Sequence, residues 1–352
     1  MIGAVLLACA LTASEWHRFD FTERHMGVEV RVHLYADSEA AARAAARAAF
    51  DRVHAWDEAL SDWHAGSDAM RLPQRAGEAA TARGLLAEAL DASARASEAT
   101  RRAFDPSLGT LTLLWRDARR ANAAPDARAL RSALHASGPQ SFRWDSASRR
   151  FTALREGVRL DFGAIAQGLA ADDALQSLRE AGCHHALVDV SGDIAVGAAP
   201  PDADGWRIEI EAEFDDQPAD LLLLHDCGVS TSGDRAQRST LAGHTVSHIL
   251  DPETGMPLTA PRQATVIAAD ATTADAMATA LCVLPGDTCR SIAAAQHLAA
   301  RLDRTPAEGG VQPLGGWRLL RRASSCPAAE PSAPAAAHPS TASEASDPPC
   351  SR

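Results

Sequence analysis

The chain has 352 residues, 46% of them hydrophobic, so it can bury a substantial core as one large domain or two smaller ones. Its formal net charge is −12 and its lysines and arginines form no long run, which excludes the electrostatic footprint of a nucleic-acid-binding protein. The seven cysteines include no CxxC pair and no zinc spacing, so they indicate neither a metal knuckle nor a disulfide framework.

The first 19 residues form a segment of their own. Residues 1–10, MIGAVLLACA, are apolar but too short to span a bilayer, and they lack the positive start of a secretory signal. Leu6 to Cys9 resembles a bacterial lipoprotein box, in which the cysteine is acylated after cleavage. The segment favours either a truncated signal with a lipid anchor, on the periplasmic side of a bacterial inner membrane, or an ordinary apolar terminus.

The first half of the chain predicts one strand and three helices. Residues 27–35, GVEVRVHLY, alternate as a strand does, and Ser38 can cap the helix that follows. In that helix Phe50, Val53, Trp56 and Leu60 recur at roughly helical spacing. Further helices are predicted over 84–102 and 126–135.

The second half alternates between strand and helix patterns. Strands are predicted over 150–160, 185–190, 206–212 and 263–269, and helices over 164–181, 272–284 and 287–299. The pattern predicts an α+β fold with a mixed sheet core and flanking helices over residues 20–322. Residues 323–352 are rich in Pro, Ala and Ser, which predicts a disordered tail.

A first polar cluster is LDFGAIAQG at 160–168. Here a predicted strand ends in Asp161 and leads through a glycine into a helix, whose free amides and dipole would favour an anion. The alternative is an ordinary strand-to-helix turn with an aspartate cap.

A second cluster spans 230–257, where a Ser/Thr/Gly turn precedes a His-x-x-Asp-Pro-x-Thr-Gly loop. Loops of this kind often carry function, so we favour a functional loop over a set of simple turn formers.

The third cluster lies on the helix predicted over 272–284, with Thr272 or Thr273 as its cap. Asp275 and Thr279 are one turn apart, so their oxygens could share a hard cation such as Mg²⁺. The alternatives are a solvated helix face, or an acid that the helix dipole favours in the first turn.

In order and spacing, these clusters resemble the ApbE family of FAD:protein FMN transferases. The likeness covers roughly residues 20–300. It rests on Met26-Gly27, LSDW at 60–63, AFDPSLG at 103–109, LDFGAIAQG at 160–168, VDVSGDI at 188–194, STSGD at 230–234, SHILDPETGMP at 247–257 and ADAMATAL at 274–281. The resemblance implies that FAD and a divalent metal bind, and that FMN is attached by a phosphoester bond to a threonine of an acceptor flavoprotein while AMP leaves.

The resemblance also implies the site residues. FAD would contact Met26, Trp63, Ala103, Phe104, Asp105, Asp161, Gln167 and Ile249. The carbonyl of Ala164 would hold Mg²⁺ together with Asp275 and Thr279. Trp63 could stack on a flavin or adenine ring, although a tryptophan near a helix end is more often part of a core.

The reaction needs a base for the incoming threonine hydroxyl. The resemblance places His248 there, and an imidazole titrates near neutral pH. A structural histidine braced by Asp251 is the alternative.

Five positions depart from the family pattern. Gln167 stands where lysine is common, Arg101 and Arg102 replace small residues, Ser191 replaces a glycine, and Ala278 replaces an acid that some relatives have. The alternative functions are an FAD-binding protein without transfer activity and a pyrophosphatase that releases FMN and AMP. The sequence favours an enzyme over a binder because His248, Asp275 and Thr279 are retained.

Overall fold

The computed structural model describes residues 16–235, 239–241 and 243–323, so Cys9 and nearly all of the predicted tail lie outside the described residues. The helices are α1 (Glu39–Leu60), α2 (Gly84–Ala99), α3 (Gly109–Ala121), α4 (Ala127–His135), α5 (Ala166–Glu180), α6 (Ala271–Val283), α7 (Gly286–Ala295) and α8 (Trp317–Ala323). The strands are β1 (His17–His25), β2 (Val28–Ala36), β3 (Ala79–Thr81), β4 (Phe142–Asp145), β5 (Arg150–Ala153), β6 (Ala186–Val190), β7 (Asp193–Val196), β8 (Trp206–Ile210), β9 (Asp220–Leu224), β10 (Cys227–Gly233), β11 (Ser239–Leu241), β12 (His244–Val246), β13 (Gln263–Ala268), β14 (Ala299–Asp303) and β15 (Val311–Leu314). No helix among the described residues is long and apolar enough to cross a bilayer.

An eight-stranded sheet forms the centre of the fold, in the order β1-β2-β6-β7-β10-β13-β14-β15. Each neighbouring pair in it is antiparallel. Helices α1, α5 and α6 pack against this sheet, and α5 also packs against both α1 and α6. The predicted α+β class, with a sheet core and flanking helices, is confirmed.

Strand alternation divides the core between the two faces of the sheet. On β6, Ala186, Val188 and Val190 pack with α1 and α5, whereas Leu187 points to the opposite face. The β8–β9 hairpin and α8 cover that opposite face and bury Trp317 there. The same alternation puts Asp193 on the helix side, because it shares a face with the buried Ala195 of β7.

Glycines allow α6 to lie directly on its neighbours. A Cβ added to Gly228 of β10 would lie 2.0 Å from the backbone of Asp270, and one added to Gly168 of α5 would lie 2.5 Å from the carbonyl oxygen of Ala271. Asp172 of α5 accepts hydrogen bonds from the backbone N–H groups of Ala271 and Thr272. The start of α6 is therefore fixed between α5 and the sheet.

Several predicted boundaries are wrong. The helix predicted to 102 ends at Ala99, because Arg101 and Arg102 adopt left-handed backbone conformations. The strand predicted over 150–160 ends at Ala153, and the helix predicted over 287–299 ends at Ala295 before β14 begins.

The predicted cap of α6 is also wrong. The side chain of Asp270 caps this helix by accepting a hydrogen bond from the N–H of Thr273 at 2.7 Å. Neither Thr272 nor Thr273 is the cap, since both lie inside the helix.

Candidate active site

A cavity of about 450 Å³ lies between α6, α3, the end of β10 and the turn that precedes α5. Ten of the twelve predicted site residues line it: Ala103, Phe104, Asp105, Asp161, Ala164, Gln167, His248, Ile249, Asp275 and Thr279. These residues come from four separate segments of the chain. The fold thus brings the three polar clusters of the sequence to one place.

Asp275 and Thr279 face this cavity from α6. Asp275 is only 4% exposed, and its Oδ2 accepts a hydrogen bond from the N–H of Gly168 at 3.1 Å. The hydroxyl of Thr279 shares a hydrogen bond with that of Ser232 at 2.8 Å. A solvated face is excluded by this burial, and a first-turn dipole role is excluded because the helix begins at Ala271 and its first turn contains no acid.

A second buried carboxyl group, Asp193, lines the same cavity, and the sequence reasoning did not select it. Ser230 donates a hydrogen bond to its Oδ1 at 2.5 Å. Burial and, to a smaller extent, the charge of nearby Asp189 raise the pKa of Asp193 to about 7, although the hydrogen bond from Ser230 opposes the shift. Its signal lay within VDVSGDI, where it begins a strand directly after a two-residue turn.

The two carboxyl groups affect each other. Burial raises the pKa of Asp275 well above its ordinary value, and the neighbouring charge of Asp193 raises it further. Two buried acids that oppose each other's ionisation, beside a hydroxyl and the segment of Ala164, form a set of hard oxygen donors. The set fits Mg²⁺, which uses few protein ligands when it also binds phosphate oxygens. Within the described residues, no group of three or more His, Cys, Asp or Glu side chains is arranged to hold a metal by itself.

His248 lines the cavity with a half-buried imidazole. Burial lowers its pKa; Asp234 opposes this shift and the charge of Arg119 adds to it. Its Nδ1 is buried and has no hydrogen-bond partner among the residues that the structure describes. The carboxylate of Asp251 instead accepts a hydrogen bond from the N–H of Glu253 at 2.9 Å. The predicted bracing by Asp251 is therefore wrong, and the imidazole is neutral at neutral pH.

The turn at 161–165 closes the cavity in a different way from the one predicted. Asp161 belongs to a loop and not to a strand, and its N–H donates a hydrogen bond to the carbonyl of Pro106 at 2.8 Å. Its Oδ1 accepts a hydrogen bond from the N–H of Gly163 at 2.8 Å. Helix α5 starts at Ala166 without a side-chain cap, so the alternative of an aspartate cap is also wrong.

Met26 and Trp63 do not line the cavity. Met26 occupies the turn between β1 and β2, where its N–H donates a hydrogen bond to Asp57 at 2.8 Å. Trp63 is 68% exposed and therefore does not belong to a core. The guanidinium groups of Arg116 and Arg120 lie 4.7 and 5.4 Å from its ring centre. Contacts of these two residues with FAD remain predictions.

A sequence model of the ApbE family matches residues 26–302. The FAD:protein FMN transferase of Klebsiella pneumoniae (strain 342) is 28% identical over 298 residues, which cover 81% of this chain and 83% of that protein. The FAD:protein FMN transferase of Treponema pallidum (strain Nichols) is 34% identical over 201 residues, which cover 52% of this chain and 55% of that protein.

Solved structures give the same result. The flavinyl transferase ApbE of Pseudomonas stutzeri, in its apo form, superposes with a TM-score of 0.76 at 27% identity, covering 87% of this chain and 97% of that one. The ApbE protein of Thermotoga maritima superposes with a TM-score of 0.77 at 25% identity, covering 87% of this chain and 100% of that one.

Proposed function

The chain belongs to the ApbE family, and we propose that it transfers FMN from FAD to a threonine hydroxyl of an acceptor flavoprotein, releasing AMP in a Mg²⁺-dependent reaction. It is an FAD:protein FMN transferase. The observation that most strongly supports the finer proposal is the lining of the cavity. The buried acids Asp193 and Asp275 and the neutral imidazole of His248 all line this one cavity.

The residues have separate roles in this reaction. The threonine oxygen of the acceptor attacks the phosphorus of the FMN half, the P–O bond to AMP breaks, and His248 accepts the hydroxyl proton. Ala164, Asp275 and Thr279 would hold Mg²⁺, which when bound neutralises charge on the pyrophosphate and stabilises the leaving group. Ala103, Phe104 and Ile249 are buried beside the cavity and offer apolar surface to the dinucleotide.

Two alternatives differ from transfer in a measurable way. A pyrophosphatase would use water in place of threonine, and a binding protein would leave FAD intact. The neutral state of His248 and the lack of a bracing partner within the described residues favour an enzyme. Neither observation identifies the acceptor of FMN.

The test is to incubate the purified protein with FAD, Mg²⁺ and an acceptor flavoprotein domain, and to look for flavin fluorescence on a denaturing gel. A parallel reaction without the acceptor is assayed for AMP. We expect a fluorescent acceptor band and little AMP without the acceptor. AMP released at the same rate with and without acceptor would identify a pyrophosphatase, and intact FAD in both reactions would identify a binder.

We also propose that the enzyme is exported and held on the periplasmic side of a bacterial inner membrane by lipid attached to Cys9, because residues 6–9 resemble a lipoprotein box. Cell fractionation tests this. Cys9→Ala should move the protein from the membrane fraction to the soluble fraction, and an unchanged distribution would exclude the anchor.

A further inference from the structure

Helix α3 places two arginines, Arg116 and Arg119, on the wall of the cavity. They are one turn apart but differ in their partners. Arg116 forms an ion pair with Asp62 and lies over the ring of Trp63. Arg119 forms no ion pair with any acid in the described part of the chain.

The guanidinium of Arg119 is incompletely satisfied. Its Nη1 is buried and has no hydrogen-bond partner among the described residues. A buried N–H donor without a hydrogen-bond partner lowers the stability of the fold. A bound ligand that accepts its hydrogen bond is one explanation for such a donor. The guanidinium cannot avoid this cost by losing its charge, because an arginine side chain stays protonated in proteins.

The charge of Arg119 lies at the cavity, near the proposed base. Arg119 lowers the pKa of His248, so the guanidinium lies close enough for its charge to act on the proposed base. The acids that line the cavity are Asp105, Asp161, Asp193 and Asp275, and Gln167 is neutral. Because Asp62 already compensates Arg116, Arg119 is, among the described residues that line the cavity, the cation whose charge is available for an anionic ligand.

We propose that Arg119 binds a phosphoryl group of the dinucleotide. A planar guanidinium forms paired N–H···O hydrogen bonds with phosphate oxygens, and the pyrophosphate is the anionic part of FAD, the proposed substrate. This inference rests on the proposed function, since FAD supplies the phosphates. It assigns to Arg119 the discrimination between a flavin that has phosphates and one that does not.

The test compares FAD with riboflavin, which has the same ring system and no phosphate. Dissociation constants for both are measured by calorimetry in the presence of Mg²⁺ and without acceptor, for the wild type and for Arg119→Gln. We expect the variant to bind FAD about 10- to 100-fold more weakly, the loss that corresponds to a charge-assisted hydrogen bond, while riboflavin binding stays within about twofold.

Arg131→Gln is the matched control. It removes a cation from the neighbouring helix α4, where Arg131 is exposed and does not line the cavity. Its FAD affinity should stay close to that of the wild type. If Arg119→Gln does not fold, Arg119→Lys replaces it; since lysine keeps the charge but loses the planar fork, FAD binding should weaken by about threefold to tenfold with riboflavin binding unchanged.

An equal loss of FAD and riboflavin affinity would assign Arg119 to packing, and unchanged FAD affinity would remove it from the binding site; either result overturns the inference. So would a wild type that binds FAD no better than riboflavin. Transfer is measured separately. An enzyme that discriminates through Arg119 but transfers no FMN would contradict the proposed function and leave this inference intact.

Discussion

Asp193 and Asp275 have raised pKa values, so each carboxyl group binds its proton more tightly in the folded protein than in the unfolded chain. Such a group favours folding below its unfolded pKa, and this contribution is lost as the pH rises through the folded value, which is about 7 for Asp193. The protein without metal should therefore be less stable at pH 8 than at pH 5 on account of this pair. The electrostatic cost is one that a bound cation would relieve.

Asp275→Asn tests this cost. The variant keeps the shape and an acceptor for Gly168 but removes the negative charge, so its free energy of unfolding in EDTA at pH 8 should exceed that of the wild type by about 1–3 kcal/mol. The difference should shrink at pH 4. Urea unfolding at both pH values measures it, and a variant less stable than the wild type at pH 8 would contradict the electrostatic argument.

The same substitution should impair the reaction. A neutral amide is a far poorer Mg²⁺ ligand than a carboxylate, so FMN transfer should fall by at least roughly 10- to 100-fold, the loss typical of disturbing a metal site, and should require more Mg²⁺. Thr279→Val should be milder, since it removes a neutral oxygen and the hydrogen bond to Ser232. Transfer rates across a Mg²⁺ titration decide this. An unchanged Mg²⁺ requirement in Asp275→Asn would exclude the metal role.

The proposed base, His248, can accept a proton only when its imidazole is neutral, and burial lowers its pKa below the ordinary 6.5. The transfer rate should therefore rise with pH through a midpoint below 6.5 and be level by neutral pH. His248→Ala should slow transfer by about 10²- to 10⁴-fold, the usual contribution of a general base, while FAD binding changes little. A variant that loses FAD affinity or unfolds would show that the imidazole has a structural role instead.

At the scale of elements, the close contact of α6 with β10 sets the position of Asp275 and Thr279. The methyl group of Gly228→Ala would clash with the backbone of Asp270, so α6 would have to move. We expect the free energy of unfolding to fall by about 1–3 kcal/mol and the transfer rate to decrease. Gly316→Ala is the control, because a Cβ there meets only Ala299 at 4.0 Å. Thermal melting and transfer assays compare the two variants. Equal behaviour of both would refute the packing argument.

Short sequence patterns correctly predicted features that depend on residues close together in the chain. The Ser38 cap and the apolar spacing predicted α1 correctly, and Asp275 and Thr279 were correctly placed on one helix face. Asp193 was missed because strand pairing, which joins β7 to β10, brings it beside α6, and no periodicity in the sequence reports that pairing. Arg119 was missed because its helix has no chemical motif, and only the fold shows that one turn of it meets the cavity.

At the scale of the whole molecule, the sheet separates the cavity from a second core. The cavity residues belong to the side of α5 and α6, whereas Trp317 is buried on the opposite side with the β8–β9 hairpin. Alternating strand residues supply both cores, so the two cores share the backbone of the sheet but use different side chains. This separation predicts that stability and binding can be changed independently.

Trp317→Ala is the variant that tests the separation. Trp317 is 1% exposed and its Nε1 donates a hydrogen bond to Asp220 at 3.0 Å, so truncation should lower the free energy of unfolding by about 3–5 kcal/mol. Leu319→Ala, in the same helix but with 69% of its residue surface exposed, should cost less than about 0.5 kcal/mol. Both variants are unfolded in urea, and FAD affinity is measured at a temperature where each is folded. Because the sheet backbone stays paired, FAD should bind both with the affinity of the wild type. A weaker FAD affinity in folded Trp317→Ala would show that the second core helps to shape the cavity through the sheet, and the two faces would then have to be treated as one cooperative unit.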